Sequence, residues 1–198
     1  MTERANEEVF SSAPRQLPRE LDLSDLAPEM ERLWTRSIRH LDKRQVVEWG
    51  ATIVLTKDKR LRLVGIVEGN AESVTLKLDV DEGEEFIGTF HTHPYEDGTT
   101  GMAFGGDDIA SAINYGEKIS VVQSGKDIFA LVRTEGTPAR VDPRRLDHEL
   151  NMAYRGYVKM GLADQEALLA ADLDACKRYR LAFYWGRVPQ RLLEVHKP

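Results

Sequence analysis

Between residues 46 and 132 the chain carries five short apolar runs, Val46–Leu55, Leu61–Val67, Phe86–His91, Ile119–Val122 and Asp127–Val132. Each is too short for a stable helix and is bounded by turn residues, which is the pattern of strands. Thr56-Lys57-Asp58-Lys59 and Ser124-Gly125-Lys126 read as hairpin turns between neighbouring runs. Val74, Leu76 and Leu78 alternate with Thr75 and Lys77, which predicts a half-buried strand, and Asp79 to Glu85 reads as an acidic connection. Helical patterns surround these runs. Leu26, Met30, Leu33, Trp34, Ile38 and Leu41 fall at steps of three and four, predicting a helix that tolerates Pro28 in its first turn and ends near Lys43. Asp107 and Asp108 open a second helix, stopped by Gly116; residues 143–159 and 163–179 read as two more, broken at Gly161. Leu181–Gly186 is a further short strand, and Leu192–Val195 closes the pattern. Strands interleaved with helices predict an α/β or α+β layered fold.

Composition limits the chemistry. A chain of 198 residues, 41% hydrophobic and 30% charged, supports one compact core with appendages. The net charge of −6 argues against a surface built to grip nucleic acid. No apolar run approaches the roughly 20 residues of a membrane span, and MTERANEEVF lacks the apolar core of a secretory leader. The lone Cys176 excludes an intrachain disulfide and any zinc site of several thiolates, and fits a reducing, cytoplasmic setting. Any metal site must therefore draw on the 5 His and the carboxylates. The expected organisation is a flexible arm over 1–23, a functional domain over 24–135 and a mainly helical C-terminal extension over 136–198.

His91-Thr92-His93-Pro94 is the informative stretch. On a strand, side chains at i and i+2 share a face, so two imidazoles are delivered together from a rigid element. Pro94 ends the strand and turns the chain away. A carboxylate at the start of the next helix can return as a third ligand; Asp108 is the candidate, Asp107 its competitor and the better placed of the two to cap the helix. A fourth position left to water separates a catalytic zinc site from a structural one. His40, His148 and His196 read as surface residues. Trp49 falls on the opposite strand face from Glu48 and reads as packing, and Cys176 reads as a structural or free thiol. Tyr179, Phe183, Tyr184 and Trp185 form an aromatic cluster that packs on the core or faces a partner.

These residues resemble the JAMM (MPN+ or JAB) zinc metalloprotease family, in its bacterial deubiquitinase-like form. The family's signature is an upstream Glu, His-Ser/Thr-His-Pro, then a Ser followed three residues later by Asp. Thr89-Phe90-His91-Thr92-His93-Pro94 matches the central element, and Ala103-Phe104-Gly105-Gly106-Asp107-Asp108-Ile109 resembles the Phe-Ser-Gly-x-Asp-Ile element. The upstream Glu falls on Glu48, and the resemblance spans roughly residues 26–133. It implies a cytidine-deaminase-like three-layer α/β/α fold, with Zn²⁺ held by His91, His93 and Asp108. It also implies hydrolysis of an amide, often the isopeptide bond at the C-terminus of a ubiquitin-like protein, with Glu48 taking a proton from water and passing it to the leaving amine.

Two positions depart from the family. Gly105 stands where the family has the Ser that helps stabilise the oxyanion, so an N–H of Gly105 or Gly106 or a hydroxyl of Thr99 or Thr100 would have to substitute. The gap from His93 to Asp108 holds 14 residues, where the family usually has about ten; the extra length in Tyr95 to Ala103 is a candidate lid or substrate-reading loop. The expectation is a zinc metallo-isopeptidase or peptidase acting on a ubiquitin-like protein or peptide. The alternative is a weakly active or inactive binding module for the same kind of partner. A nuclease-related use of the fold ranks last, given the acidic balance.

Overall fold

The computed structural model describes residues 17–77, 80–187 and 189–198. Eight strands form one mixed sheet: β1 (Glu20–Leu21), β2 (Trp49–Leu55), β3 (Leu61–Glu68), β4 (Glu85–Thr92), β5 (Ile119–Ser124), β6 (Asp127–Arg133), β7 (Leu181–Gly186) and β8 (Leu192–His196). Their spatial order is β1-β8-β7-β6-β5-β4-β2-β3. Every neighbouring pair is antiparallel except β4–β5. Four α-helices accompany the sheet: α1 (Ala27–Ser37), α2 (Gly106–Asn114), α3 (Pro143–Lys159) and α4 (Asp164–Tyr179). The parallel pair follows from connectivity, because β4 returns to β5 through α2.

Period-two alternation along the strands divides the core into two layers. Leu26, Met30 and Leu33 of the α1 region pack with Ala51, Ile53, Phe90, Val121 and Ala130 on one face. Phe104, Ile109, Ile113, Leu146, Leu150 and Ala171 pack with Val122, Phe129 and Phe183 on the other. The sheet is thus covered by α1 on one side and by α2, α3 and α4 on the other.

A bulge aims β4. Ile53 pairs with Gly88 but Val54 pairs with Phe86, so Ile87 is an extra residue. Ile87 and Phe90 consequently face the same apolar layer under α1. Thr89 and His91 are then turned to the opposite face, toward α2. Gly88 is required by close approach: a Cβ there would lie 1.6 Å from the Ile119 carbonyl oxygen of β5.

Several expectations need correction. The segment 17–23, read as the end of a flexible arm, is packed: Leu17, Leu21 and Leu23 are buried, and β1 pairs with β8; residues 1–16 lie outside the described residues. The first helix stops at Ser37 rather than near Lys43, and Leu41–Lys43 is a separate 3₁₀ turn. The Ser37 hydroxyl is buried against Thr92 Oγ1 at 2.6 Å, which pins the helix end to β4. Val74–Lys77 forms no strand, and Leu78 lies outside the described residues. Val74 and Leu76 instead pack over Gly50, and the Thr52 hydroxyl holds the Lys77 carbonyl at 2.7 Å. The segment 136–198 is mainly helical, through α3 and α4, and its strands β7 and β8 fall on the apolar runs at 181–186 and 192–195; β7 pairs directly with β6. Its aromatic cluster is largely core: Phe183 and Tyr184 are fully buried on opposite faces of β7, and Trp185 stacks on Phe129. No helix among the described residues is long and apolar enough to cross a membrane.

Candidate metal centre

The site forms where β4 ends and α2 begins. His91 is the next-to-last residue of β4 and lies opposite Gly50 of β2. His93 follows the strand, yet it stays in register: its N–H donates to the Gln123 carbonyl at 2.9 Å, and the Ser124 hydroxyl donates to its carbonyl at 3.0 Å. Both imidazoles therefore project from the same face, as the i, i+2 spacing predicts. Asp108 is the third residue of α2, where its charge is favoured by the helix dipole. The Gly105 N–H donates to Asp108 Oδ2 at 2.7 Å.

Three side chains converge. His91 Nε2 and His93 Nε2 lie 2.9 Å apart. Asp108 Oδ1 is 3.2 Å from His91 Nε2, and Asp108 Oδ2 is 3.4 Å from His93 Nε2. A tetrahedral ion with donors at ~2.0–2.1 Å has donor–donor edges of ~3.3–3.4 Å, close to these separations. Two ring nitrogens and a carboxylate aimed at one point are all acceptors when the rings present lone pairs, an arrangement that a cation satisfies. Two imidazoles and a carboxylate are also the borderline donors that suit zinc. The residues thus fit the metal that the motif implies. Burial opposes charge on the Asp108 carboxyl, but the two histidines overcome it and hold the group well below the ordinary carboxylate range. Burial likewise works against a charged His93, and the hydrogen bond and charge of Asp108 reverse it, raising the ring's pKa.

Glu48 completes the arrangement by register. It precedes β2 by one residue, and with Gly50 opposite His91 it falls opposite His93 on the same face. Its N–H donates to the Asn70 carbonyl at 2.7 Å, and its carbonyl accepts from the Gly69 N–H at 2.8 Å. The side chain is 8% exposed and lines the same cleft as the two histidines. Burial raises its pKa, while His91 and His93 pull it part of the way back. Trp49 lies on the other face, packed toward α1 with the Arg36 guanidinium 5.0 Å from its ring centre.

The cleft has a volume of about 780 Å³. Its described lining carries six carboxylates, Glu48, Glu72, Asp107, Asp108, Glu117 and Asp147, and no Lys or Arg. Gly105 and Gly106 line it beside Asp108. Gly106 must be glycine: a Cβ there would sit 2.6 Å from the Asp147 Cα of α3. Thr99 and Thr100 are not brought to the cleft. They line a separate depression with Trp34, Ile38 and Lys126. Asp107 is exposed and makes no capping bond; Asp108 serves the helix start as well as the site. His40 and His148 are exposed.

Three groups at or near the site carry no sequence signature. Glu117, 4% exposed, accepts from the Thr89 hydroxyl at 2.7 Å, and burial pushes its carboxyl up to about 7. Tyr95 stands at the rim, its hydroxyl pushed up to about 12 by burial and by the charges of Glu48 and Asp108. Asp172 is wholly buried on α4. Their positions depend on contacts across the fold, which local spacing does not encode.

Comparison with models of known families, with curated proteins and with solved structures gives no match.

Proposed function

We propose that the chain is a zinc-dependent peptidase or isopeptidase of the JAMM type, with a cytidine-deaminase-like fold. The observation that carries this reading is the convergence of His91, His93 and Asp108 within 4.8 Å, with the Glu48 carboxyl in the same cleft. His91, His93 and Asp108 would hold the ion. When bound, zinc polarises the scissile carbonyl and makes water acidic enough to attack near neutral pH. Glu48 accepts the proton of the attacking water and delivers it to the leaving nitrogen as the C–N bond breaks. Its raised pKa suits both halves of that transfer. The substrate is a peptide segment, such as the C-terminal tail of a ubiquitin-like protein, laid along the cleft. The carboxylate-rich lining disfavours a phosphate backbone and supports neutral or basic peptide over nucleic acid. A single buried Cys176 is compatible with a cytoplasmic setting.

The decisive experiment assays ubiquitin-like conjugates and short peptides with and without a chelator. Cleavage that disappears on metal removal and returns with Zn²⁺ supports the reading; cleavage indifferent to chelator sinks it.

One observation favours a second reading, a binding module with weak hydrolysis. Gly105 offers no hydroxyl, its N–H is taken by Asp108, and Thr99 and Thr100 line another depression. Gly105 has φ −85° and ψ 169°, open to any residue, and a Cβ would meet only Asp108 Oδ2, at 3.3 Å. Gly105→Ser should therefore fold. A missing oxyanion donor predicts a rate gain, up to on the order of 10²–10³. An unchanged rate in turnover assays would instead indicate that another donor already serves.

A further inference from the structure

The turn that leads into α2 is held from outside by the C-terminal helix. Asp172 of α4 is 0% exposed, and its Oδ2 accepts the Phe104 N–H at 3.1 Å. Its Oδ1 is buried without a partner. Burial drives this carboxyl well above the ordinary range; the Phe104 N–H opposes the shift and the charge of Asp108 adds to it. Asp172 thus bears a desolvation penalty in a core position where an apolar side chain would carry none. Packing alone does not account for it.

What Asp172 grips adjoins the amide that bonds to Asp108. Phe104 is followed by Gly105, whose N–H donates to Asp108 Oδ2 at 2.7 Å and whose carbonyl accepts the Ile109 N–H at 3.2 Å, the first bond of α2. Two consecutive amides therefore address two carboxyls, Asp172 on the core side and Asp108 on the cleft side. A single pair of backbone dihedrals separates them, so fixing the first amide restricts the second. The Phe104 ring is fully buried against Phe183, and Gly106 abuts the Asp147 backbone of α3.

We propose that Asp172 is a positioning residue for the metal centre: through the Phe104 and Gly105 amides it holds the Asp108 carboxylate in place against His91 and His93, and so sets the affinity of that triad for zinc. The inference rests on the metal-binding part of the proposed function and not on hydrolysis. It also gives α4 a part in the site, which lies 64 residues upstream of it by the separation of Asp172 and Asp108.

The test uses the full chain and two measurements. Metal-free wild type, Asp172→Asn and Asp172→Leu are titrated with Zn²⁺ against a chromophoric chelator, and the thermal unfolding of each metal-free protein is recorded. Asp172→Leu leaves the Phe104 N–H without an acceptor, and zinc affinity is expected to fall on the order of 10- to 100-fold. Its metal-free unfolding midpoint should change little, because removal of a buried acid offsets the stranded Phe104 N–H. Asp172→Asn keeps an acceptor oxygen and should retain wild-type affinity. Should Asp172→Leu not fold, Asp172→Val carries the same prediction, and the Asn variant stands by itself. Unchanged affinity in the apolar variant, or an Asn variant as weak as it, would overturn the proposal. A wild type that takes up no zinc overturns it together with the metal reading, whereas zinc uptake without peptide cleavage removes only the peptidase reading.

Discussion

On β6 the layer changes with every residue. Ile128, Ala130 and Val132 enter the cluster beneath α1, whereas Phe129 and Leu131 enter the one beneath α2, α3 and α4. The α1 layer is built mainly of aliphatic and aromatic side chains, closed at its end by the buried Ser37–Thr92 hydroxyl pair. The opposite layer is interrupted. Thr89, His91, Glu117, Ser120 and Asp172 are all buried on that side, around a cleft of about 780 Å³. Buried polar groups cost stability unless they are satisfied, and several here are satisfied only by one another. Both layers bury an apolar cluster, but the α1 layer is nearly continuous, whereas the α2–α4 layer gives up part of its packing to a cleft lined by polar and charged groups.

That division can be broken at either layer. The largest expected effect lies in the cleft: Glu48→Gln should lower kcat on the order of 10²–10⁴-fold while zinc content and unfolding midpoint stay near wild type, read by turnover assay and metal analysis. A variant that cleaves normally would remove Glu48 from its role. Next comes the dry layer. Phe90 is 0% exposed beneath α1, and Phe90→Ala should cost about 3–5 kcal/mol in chemical denaturation. The folded fraction should still bind zinc as wild type does; a parallel loss of affinity would show the two layers to be one cooperative unit.

The smallest effect is a pH dependence. Burial raises the folded Glu117 carboxyl to about 7, above its ordinary value. The folded chain therefore holds a proton that the unfolded chain releases near the ordinary carboxylate range. The stability this group contributes is fully present below its unfolded pKa and is lost as pH rises through about 7, by at most about 3.4 kcal/mol. Denaturation at pH 5 and pH 8 should show a steeper fall for wild type than for Glu117→Gln. Equal slopes would mean that Glu117 is ionised in the fold and that this part of the cleft is wetter than its burial indicates.

Much of this arrangement is legible along the chain, and the illegible parts share a cause. The i, i+2 spacing of His91 and His93 fixes their common face whatever the partner strands are. Asp108 is readable because a helix start after the Gly-rich loop brings its carboxylate back toward the strand end. The direction of that face is not readable, since it depends on the extra residue Ile87, and alternation along Phe86–His91 gives no sign of a bulge. Ile38 and Leu41 extend the helical period beyond Ser37, but one apolar spacing serves an α-helix and a 3₁₀ turn alike. Val74 and Leu76 alternate as a strand would, yet the segment lies across Gly50 without a ladder partner. The β1–β8 pairing joins residues near the two ends of the chain, and the Tyr184 hydroxyl donates to the Pro18 carbonyl beside it at 2.7 Å. Two-residue strands of this kind exist only through their partners, so Glu20–Leu21 reads as an arm until the sheet edge is known. Thr99 and Thr100 lie near the site in sequence, but the turn at Gly98 and Gly101, both at positive φ, carries them to the other depression.

The most direct measurement is zinc stoichiometry. The metal-free chain, titrated with Zn²⁺ and analysed for bound metal after exchange into metal-free buffer, should retain one ion per chain. His91→Ala should fold and retain none, with affinity lowered by more than about 100-fold, beyond what loss of a merely supporting group produces. A wild-type chain that emerges without zinc, or a His91→Ala chain that keeps it, would contradict a metal centre built from His91, His93 and Asp108.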